Sequence, residues 1–319
     1  MAAEVTVVIP NYNGKKYLPA CLDALRVQDF SDLKVIVVDN GSADGSVDLI
    51  REGYPEVELI CLPRNQGFCG AVNVGIRAAR TPFVLLLNND TQADSGFVEA
   101  LLKAVKKDPR RFSCSAKMIQ FHDRTRMDDA GNYYTALGWA YARGKGRPQE
   151  DYCREKAVFA ACAGAAIYRR EVMERIGYFD EAHFAYLEDV DLGYRARIHG
   201  YVNVFAPEAV VYHVGSGTTG SRYNPFKVRY SARNNLYLIY KNMPLLQIVL
   251  NLPFLAAGFL VKFLFFIKKG FGGEYLMGLR EGIGLCKRDK KVRFMSSHIQ
   301  YYCKIQLELW INMLRILEK

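Results

Sequence analysis

The sequence predicts an α/β fold: a mostly parallel β-sheet flanked by helices, followed by a separate helical tail. Three observations predict it. Short apolar runs alternate with segments of helical periodicity. The runs are apolar throughout, as in strands covered on both faces. Polar residues gather just after the runs, at Asn11, Asn13, Asp39 and Asp90, where open α/β sheets place their ligands.

The elements follow in order. Val5 to Ile9 is a buried strand closed by Pro10. Residues 15–28 put Tyr17, Leu18, Cys21, Leu22 and Leu25 at helical spacing. Val35 to Val38 is a second strand, ending on Asp39. Residues 42–47 carry helix-start chemistry ahead of Leu49 and Ile50. Val57 to Leu62 is a third strand, Gly70 to Ala79 a helix, and Phe83 to Leu87 a fourth strand that ends on Asn88-Asn89-Asp90. Residues 110–160, rich in glycine and charge, predict a loop-rich insertion facing the second substrate. A short helix at Val172 to Ile176 leads to the acids Glu188, Asp189 and Asp191, and a strand-like run ends on His213.

The 319-residue chain suits one large domain or a core with an appendage. Its eight scattered cysteines form no CxxC pair and predict buried, reduced thiols. The first ten residues have neither a basic segment nor a long apolar one, which predicts a cytoplasmic site of action. The net charge of +10 is uneven: from Lys241 onward, 13 Lys/Arg stand against 5 Asp/Glu. That tail is also very apolar. Leu245 to Ile267 is long enough to cross a bilayer, but Pro253, Gln247, Asn251 and Lys262 interrupt it. A single crossing would put the basic cluster 287–293 on the wrong side. A peripheral or monotopic helix pair at the inner face of the membrane fits better. A nucleic-acid site would be basic without the long aliphatic runs, so no nucleic-acid partner is expected.

Six segments matter together: Ile9-Pro-Asn-Tyr-Asn13, Val37-Val-Asp-Asn-Gly-Ser42, residues 65–73, Leu87-Asn-Asn-Asp-Thr91, Glu188-Asp-Val-Asp191 and His213-Val-Gly-Ser-Gly217. In this order and spacing they resemble the family-2 glycosyltransferases of the GT-A fold, and among these the bacterial rhamnosyltransferase-like branch. The resemblance covers about residues 4–240. It implies a nucleotide-sugar-binding half (1–115), an acceptor-binding and catalytic-base half (116–240) and a membrane-associating region (241–319).

The resemblance also assigns roles. Pro10, Asn11, Tyr12, Asn13 and Asp39 would hold the nucleoside. Asn65, Gly70 and Asn73 would line the donor, with glycine and a helix start admitting a phosphate. Asn88, Asn89 and Asp90 replace the family's Asp-x-Asp, leaving one carboxylate. Asp90 and His213 would bind Mn²⁺ or Mg²⁺, which prefer oxygen-rich shells and neutralise a departing diphosphate. Asp189 would be the base that takes the acceptor hydroxyl proton, since inversion needs only one carboxylate. Glu188 would join Asp189 at the catalytic centre by orienting the acceptor, and Glu188 and Asp191 would bind the acceptor. Neither tryptophan lies in the Gln-x-x-Arg-Trp motif of processive synthases, which implies transfer of a single sugar. Rhamnose from dTDP-rhamnose is the first donor implied, then a UDP-hexose, and the acceptor is a lipid-linked saccharide in cell-surface polysaccharide synthesis. Oligomeric state is open, a homo-oligomer included.

Two rivals differ in class. A dehydrogenase would carry G-x-G-x-x-G after the first strand, where this chain has Asn11-Tyr-Asn-Gly-Lys15. A non-catalytic membrane-docking scaffold retaining the fold would explain the tail but not the acids at the strand ends.

Overall fold

The computed structural model describes residues 3–215 and 223–317; Ser216 and Gly217 of the sixth segment lie outside them. The chain begins β1 (Val5–Asn11), α1 (Leu18–Arg26), β2 (Leu33–Asp39), α2 (Ser46–Gly53), β3 (Glu58–Cys61), α3 (Gly67–Ala78) and β4 (Phe83–Leu87). It continues with β5 (Thr91–Ala93), α4 (Phe97–Lys106), β6 (Arg111–Gln120), β7 (Met127–Asp129), β8 (Asn132–Tyr134), β9 (Ala140–Ala142), β10 (Lys156–Val158) and β11 (Ala165–Arg169). Then come α5 (Arg170–Ile176), α6 (Glu188–Ile198), β12 (Val202–His213), α7 (Pro225–Asn242), α8 (Leu245–Lys268), α9 (Gly272–Leu285) and α10 (Ile299–Leu317).

The main sheet has the order β10-β12-β6-β11-β4-β1-β2-β3. β3, β2, β1 and β4 are parallel. β11 runs antiparallel to both β4 and β6, so β6 and its parallel partner β12 run with the first four. The sheet is thus mostly parallel, as expected. Its two faces bury separate cores, one under α1 and α4 around Leu22, Leu85, Phe97 and Leu101, the other under α3 and α5 around Val8, Val72, Leu86 and Met173.

Residues 110–160 are loop-rich only beyond residue 120, where β7 to β10 are three residues each; their first part is not the expected loop. β6 is a ten-residue strand inside the sheet, and β7 to β10 follow it. The reason lies in its composition. RFSCSAKMIQ is buried along most of its length yet reads as polar. Its hydroxyls are satisfied internally: Ser113 Oγ bonds Asn203 Oδ1 at 2.7 Å, and Ser115 Oγ accepts from the Cys162 amide at 3.2 Å. All eight cysteines are free thiols, but Cys61, Cys153 and Cys303 are exposed, contrary to the expected burial.

α8 is amphipathic in the reverse of the usual sense. Its buried stripe is Gln247, Asn251, Leu255 and Gly258, while Leu246, Val249, Leu250, Leu252, Leu260 and Leu264 face outward. It is 24 residues long with a mean hydropathy of 2.1, yet only 17% of its most apolar stretch is buried. The polar stripe is bonded along its length. Gln247 Oε1 accepts from Tyr194 Oη at 2.5 Å, and Asn251 and Gln306 exchange two bonds of 2.8 Å. Trp139 Nε1 donates to the Gly258 carbonyl at 3.1 Å. A Cβ at position 258 would overlap the Leu137 carbonyl, so the helix sits directly on the β8–β9 hairpin.

Candidate active site

The first two strands end in register, Asn11 opposite Asp39. Asn11 Nδ2 donates to Asp39 Oδ1 at 2.9 Å, and Asn11 Oδ1 accepts from Asn89 Nδ2 at 2.7 Å. Both Asn11 and Asp39 are buried. Gly14 permits this contact, because a Cβ there would strike both amides. Asp39 Oδ2 accepts from the Ser42 amide at 3.0 Å, and Ser42 Oγ from the Asn13 amide at 2.8 Å. Asn13 takes a left-handed φ of 50°, bonded through Oδ1 to the Ala43 amide. Pro10 is half-buried behind this turn, while Tyr12 is exposed at its tip. Asn40, which sequence reasoning passed over, ties the end of β2 to the next loop: Nδ2 donates to Asn65 Oδ1 at 3.0 Å and Oδ1 accepts from the Gln66 amide at 2.8 Å.

The helix that follows departs from expectation. Phe184 covers the first turn of α3, and the Cys69 amide is spent on the Phe184 carbonyl at 3.2 Å. Gly67, at φ +76°, exists because a Cβ there would overlap Phe184. Gly70 closes on the side chain of Gln66, the residue that caps the helix, where a Cβ would lie 2.7 Å from Gln66 Cβ. Asn73 is also corrected. It is buried, donates to the Phe179 carbonyl and to Glu181, and accepts from the Phe179 amide, so its amide holds residues 179–181 and reaches no donor.

Asp90 and His213 do converge. β5 pairs with the end of β12 so that Thr91 lies opposite His213. This brings His213 Nε2 to 3.3 Å from Asp90 Oδ1. Asn88 precedes them, its amide bonded to the Gly164 carbonyl at 2.8 Å. The other imidazole nitrogen, Nδ1, is 2.7 Å from Asp128 Oδ2, and Asp128 Oδ1 pairs with Lys145 at 2.9 Å. Burial opposes charge on His213, but the hydrogen bonds to Asp128 and Asp90 outweigh it and raise the imidazole to about 9. Burial likewise opposes ionisation of Asp128, yet His213 and Lys145 hold it at about 2. One carboxylate and one imidazole suit a divalent cation that draws its remaining ligands from a diphosphate, provided the cation displaces the proton that His213 Nε2 shares with Asp90. Among the described residues no group of three or more acids, histidines or cysteines forms a fuller cage.

Glu188 and Asp189 open α6. The turn before them is strained: Phe184, Tyr186 and Leu187 have φ of 61°, 72° and 66°. Such conformations persist only where the surroundings over-determine them. Here α7 does so. Asn234 Nδ2 lies 2.8 Å from each of the carbonyls of His183, Ala185 and Tyr186, and Arg233 donates to those of Ala182 and His183. Asp189 remains partly exposed, with Oδ1 accepting from the Val190 amide at 2.7 Å. Burial raises both carboxyls, and on Glu188 the charge of Asp189 beside it acts in the same direction. Glu188 Oε2 has no hydrogen-bond partner among the described residues.

Asp191 does not belong with them. It is fully buried, bonded to Arg195 and Lys241 through Oδ2 at 2.9 Å each and to Asn242 Nδ2 through Oδ1 at 2.8 Å. Burial would raise this carboxyl, but the cations hold it far below the ordinary range. Lys241 also reaches Asp180 at 2.8 Å. The expected acceptor ligand is an internal ion cluster joining α6 to α7. Asp191 turns inward from α6 while Asp189 turns outward, two residues apart on one helical turn.

The description "Glycosyl transferase family 2" matches residues 6–177. The chain belongs to that family. An N-acetylglucosaminyl-diphospho-decaprenol L-rhamnosyltransferase of Mycobacterium tuberculosis is 29% identical over 246 residues, 69% of this family-2 chain and 79% of the relative. Among solved structures, Staphylococcus aureus TarS 1-349 with UDP-GlcNAc superposes with a TM-score of 0.59 at 18% identity, over 96% of this chain and 89% of that one. GalNAc-T7 with UDP, GalNAc and Mn²⁺ gives 0.60 at 15% identity, over 75% and 48%. A mannosyltransferase of Pyrobaculum calidifontis with GDP-Man and Mn²⁺ gives 0.53 at 18%, over 91% and 89%. These likenesses show the GT-A fold.

Proposed function

We propose that this family-2 glycosyltransferase moves a single sugar, with inversion, from a nucleotide-sugar to a lipid-linked saccharide at the cytoplasmic face of a membrane. One observation carries the reading. Residues 128 to 132 join the two halves of the site, Asp128 bonding His213 and Asn132 bonding the acid Asp189 at 2.8 Å. A donor-side cation site and a partly exposed carboxylate thus share one short brace.

In this reading Asp39, with Asn11, Asn13 and Pro10, holds the nucleoside, and Tyr12 packs on its base. Asn65, Asn88 and Asn89 line the donor. Asp90 and His213 hold Mn²⁺ or Mg²⁺, which when bound neutralises charge on the departing diphosphate. Asp189 takes the proton from the acceptor hydroxyl as that oxygen attacks the anomeric carbon from the face opposite the diphosphate. Glu188, whose Oε2 lacks a partner among the described residues, bonds the acceptor sugar. The outward apolar face of α8 lies in the plane of the bilayer, because a helix bonded along one edge to the catalytic domain is not free to cross it. The relative named above acts, by its name, on a diphospho-decaprenol-linked N-acetylglucosamine and supports rhamnose as the first donor to try.

The test is nucleoside diphosphate release from a panel of dTDP-, UDP- and GDP-sugars, with and without Mn²⁺ or Mg²⁺ and a prenyl-diphosphate-linked N-acetylglucosamine. Metal-dependent release from one donor, lost in Asp90→Ala, is the expected result. No release and no nucleotide binding by calorimetry would overturn the reading.

A further inference from the structure

Lys262 is the only charged residue between Leu245 and Ile267. The inward residues of α8, Gln247, Asn251, Leu255 and Gly258, recur every three or four positions, and Lys262 continues their row. Its neighbours Leu260, Val261 and Leu264 face outward.

The Lys262 ammonium lies 5.9 Å from the centre of the Trp139 ring, at the turn of the β8–β9 hairpin. That ring is itself fixed by the bond from its Nε1 to the Gly258 carbonyl. Among the described residues no acid answers the charge. Burial pushes the ammonium down to about 8, and no neighbouring charge acts on it. A half-buried cation is costly unless an anion meets it. A lysine on a membrane-facing helix can relieve that cost by reaching outward to headgroups. This one turns inward, so the anion that meets it enters between α8 and the hairpin.

That space lies on the side of the proposed base. Asn132 and Tyr134 face the same way from β8. Asn132 bonds Asp189, while Tyr134 Oη bonds Asn235 of α7 at 3.3 Å and its ring packs with Val190, Tyr194 and Leu255. One face of the hairpin therefore crosses α6, α7 and α8, with Asp189 at its open end and Lys262 near its turn. The Thr135 amide bonds the Trp139 carbonyl, so Trp139 stands three residues along from Asn132, about 10 Å of strand. α8 starts beside Tyr194, through Gln247, and ends beside Tyr223, whose ring meets Phe265 and Phe266. Phe226, in the first turn of α7, meets Tyr186, two residues before Glu188. Lys262 thus stands in the half of α8 nearer the end at which α6 opens with Glu188 and Asp189.

We propose that Lys262 binds the lipid-side phosphate of the acceptor, the one that carries the prenyl chain. The chain lies along the outward face of α8, and the sugar-side phosphate and the sugar follow the hairpin to Asp189. The assignment rests on the reading of the chain as a transferase to a lipid-linked saccharide. It makes the phosphate a recognised part of the acceptor: a neutral glycoside of the same sugar lacks the group that Lys262 meets.

Calorimetry on the full-length protein in a neutral detergent tests it, the donor site first saturated with dTDP or UDP. The two probes are farnesyl diphosphate and farnesol, which share a chain and differ in the anion. The wild type binds farnesyl diphosphate more tightly. Lys262→Gln weakens that binding by about tenfold or more, the size expected of a charged hydrogen-bond partner, and leaves farnesol binding, nucleotide affinity and melting temperature unchanged. Lys262→Arg keeps the cation and the preference. No farnesyl diphosphate isotherm in the wild type, equal affinity for the two probes, or undiminished farnesyl diphosphate binding by Lys262→Gln overturns the proposal. Weaker binding of Lys262→Gln to phosphatidylglycerol vesicles, with farnesyl diphosphate affinity unchanged, also overturns it and marks a headgroup contact. Absence of nucleotide binding would instead strike the transferase reading, and the comparison of the two probes would still report on Lys262.

Discussion

Asn132 Nδ2 donates to Asp189 Oδ2 at 2.8 Å, across 57 residues of sequence. Asn132 is itself pinned: its amide donates to the Ala160 carbonyl at 2.8 Å, and its carbonyl accepts from Phe159 at 2.9 Å. The bond favours the ionised carboxylate against a burial that raises it. Asn132→Ala removes that support, so the base protonates at higher pH. The acid limb of the kcat profile moves upward by about one pH unit, one hydrogen bond's worth. An unchanged limb with uniformly lower activity would reduce Asn132 to a structural role.

Asp189→Asn keeps the shape and removes the proposed base. Transfer falls by roughly 10²–10⁴-fold in kcat, while nucleotide binding by calorimetry stays at the wild-type level. Full activity in this variant would move the base elsewhere, with Glu188 the next residue to replace.

Asp128→Asn acts one bond behind the proposed metal ligand. It weakens the hold on His213 Nδ1, and Mn²⁺ affinity drops by roughly 10–100-fold, read as free Mn²⁺ by electron paramagnetic resonance. Unaltered Mn²⁺ affinity would remove His213 from the cation site.

Asp191→Asn leaves the buried Arg195 without a carboxylate and Lys241 with Asp180 alone, and destabilises the fold by about 3–5 kcal/mol in urea unfolding. The sign with pH follows from the depressed carboxyl. Its contribution is complete above the unfolded carboxylate value of about 4 and is lost as pH falls toward the folded one. The wild type therefore loses stability on acidification below that value, and the variant loses less.

Leu250→Glu and Leu260→Glu replace outward side chains of α8. Each weakens binding to phosphatidylglycerol vesicles by roughly tenfold or more, as the loss of one buried leucine implies, without shifting the melting temperature. Vesicle binding unaffected by both would take α8 out of the bilayer.

The parallel strands at the start were legible because their signal is local: Val5 to Ile9 or Phe83 to Leu87 has one reading. β6 was not, because Ser113 and Ser115 are made compatible with burial by Asn203 and by a Cys162 amide, far off in sequence. The same divide runs through the site. Asp39, Asp90, Asp189 and His213 stood out as polar residues closing apolar runs or opening a helix. Asn132, Asp128 and Asn234 carried no such mark, since each matters only through the residue it touches. Asp191 was misassigned because the sequence shows its neighbour Asp189 but not the inward turn that delivers it to Lys241.

Lys241 stands at the residue where the basic, apolar tail begins, yet its ammonium lies between Asp180 and Asp191, the latter two residues from the proposed base Asp189. A protease cut or a truncation at 240 would thus not release an intact catalytic half. The tail is no exchangeable cassette: a hybrid carrying another relative's tail needs a cation at this position to melt as one cooperative unit.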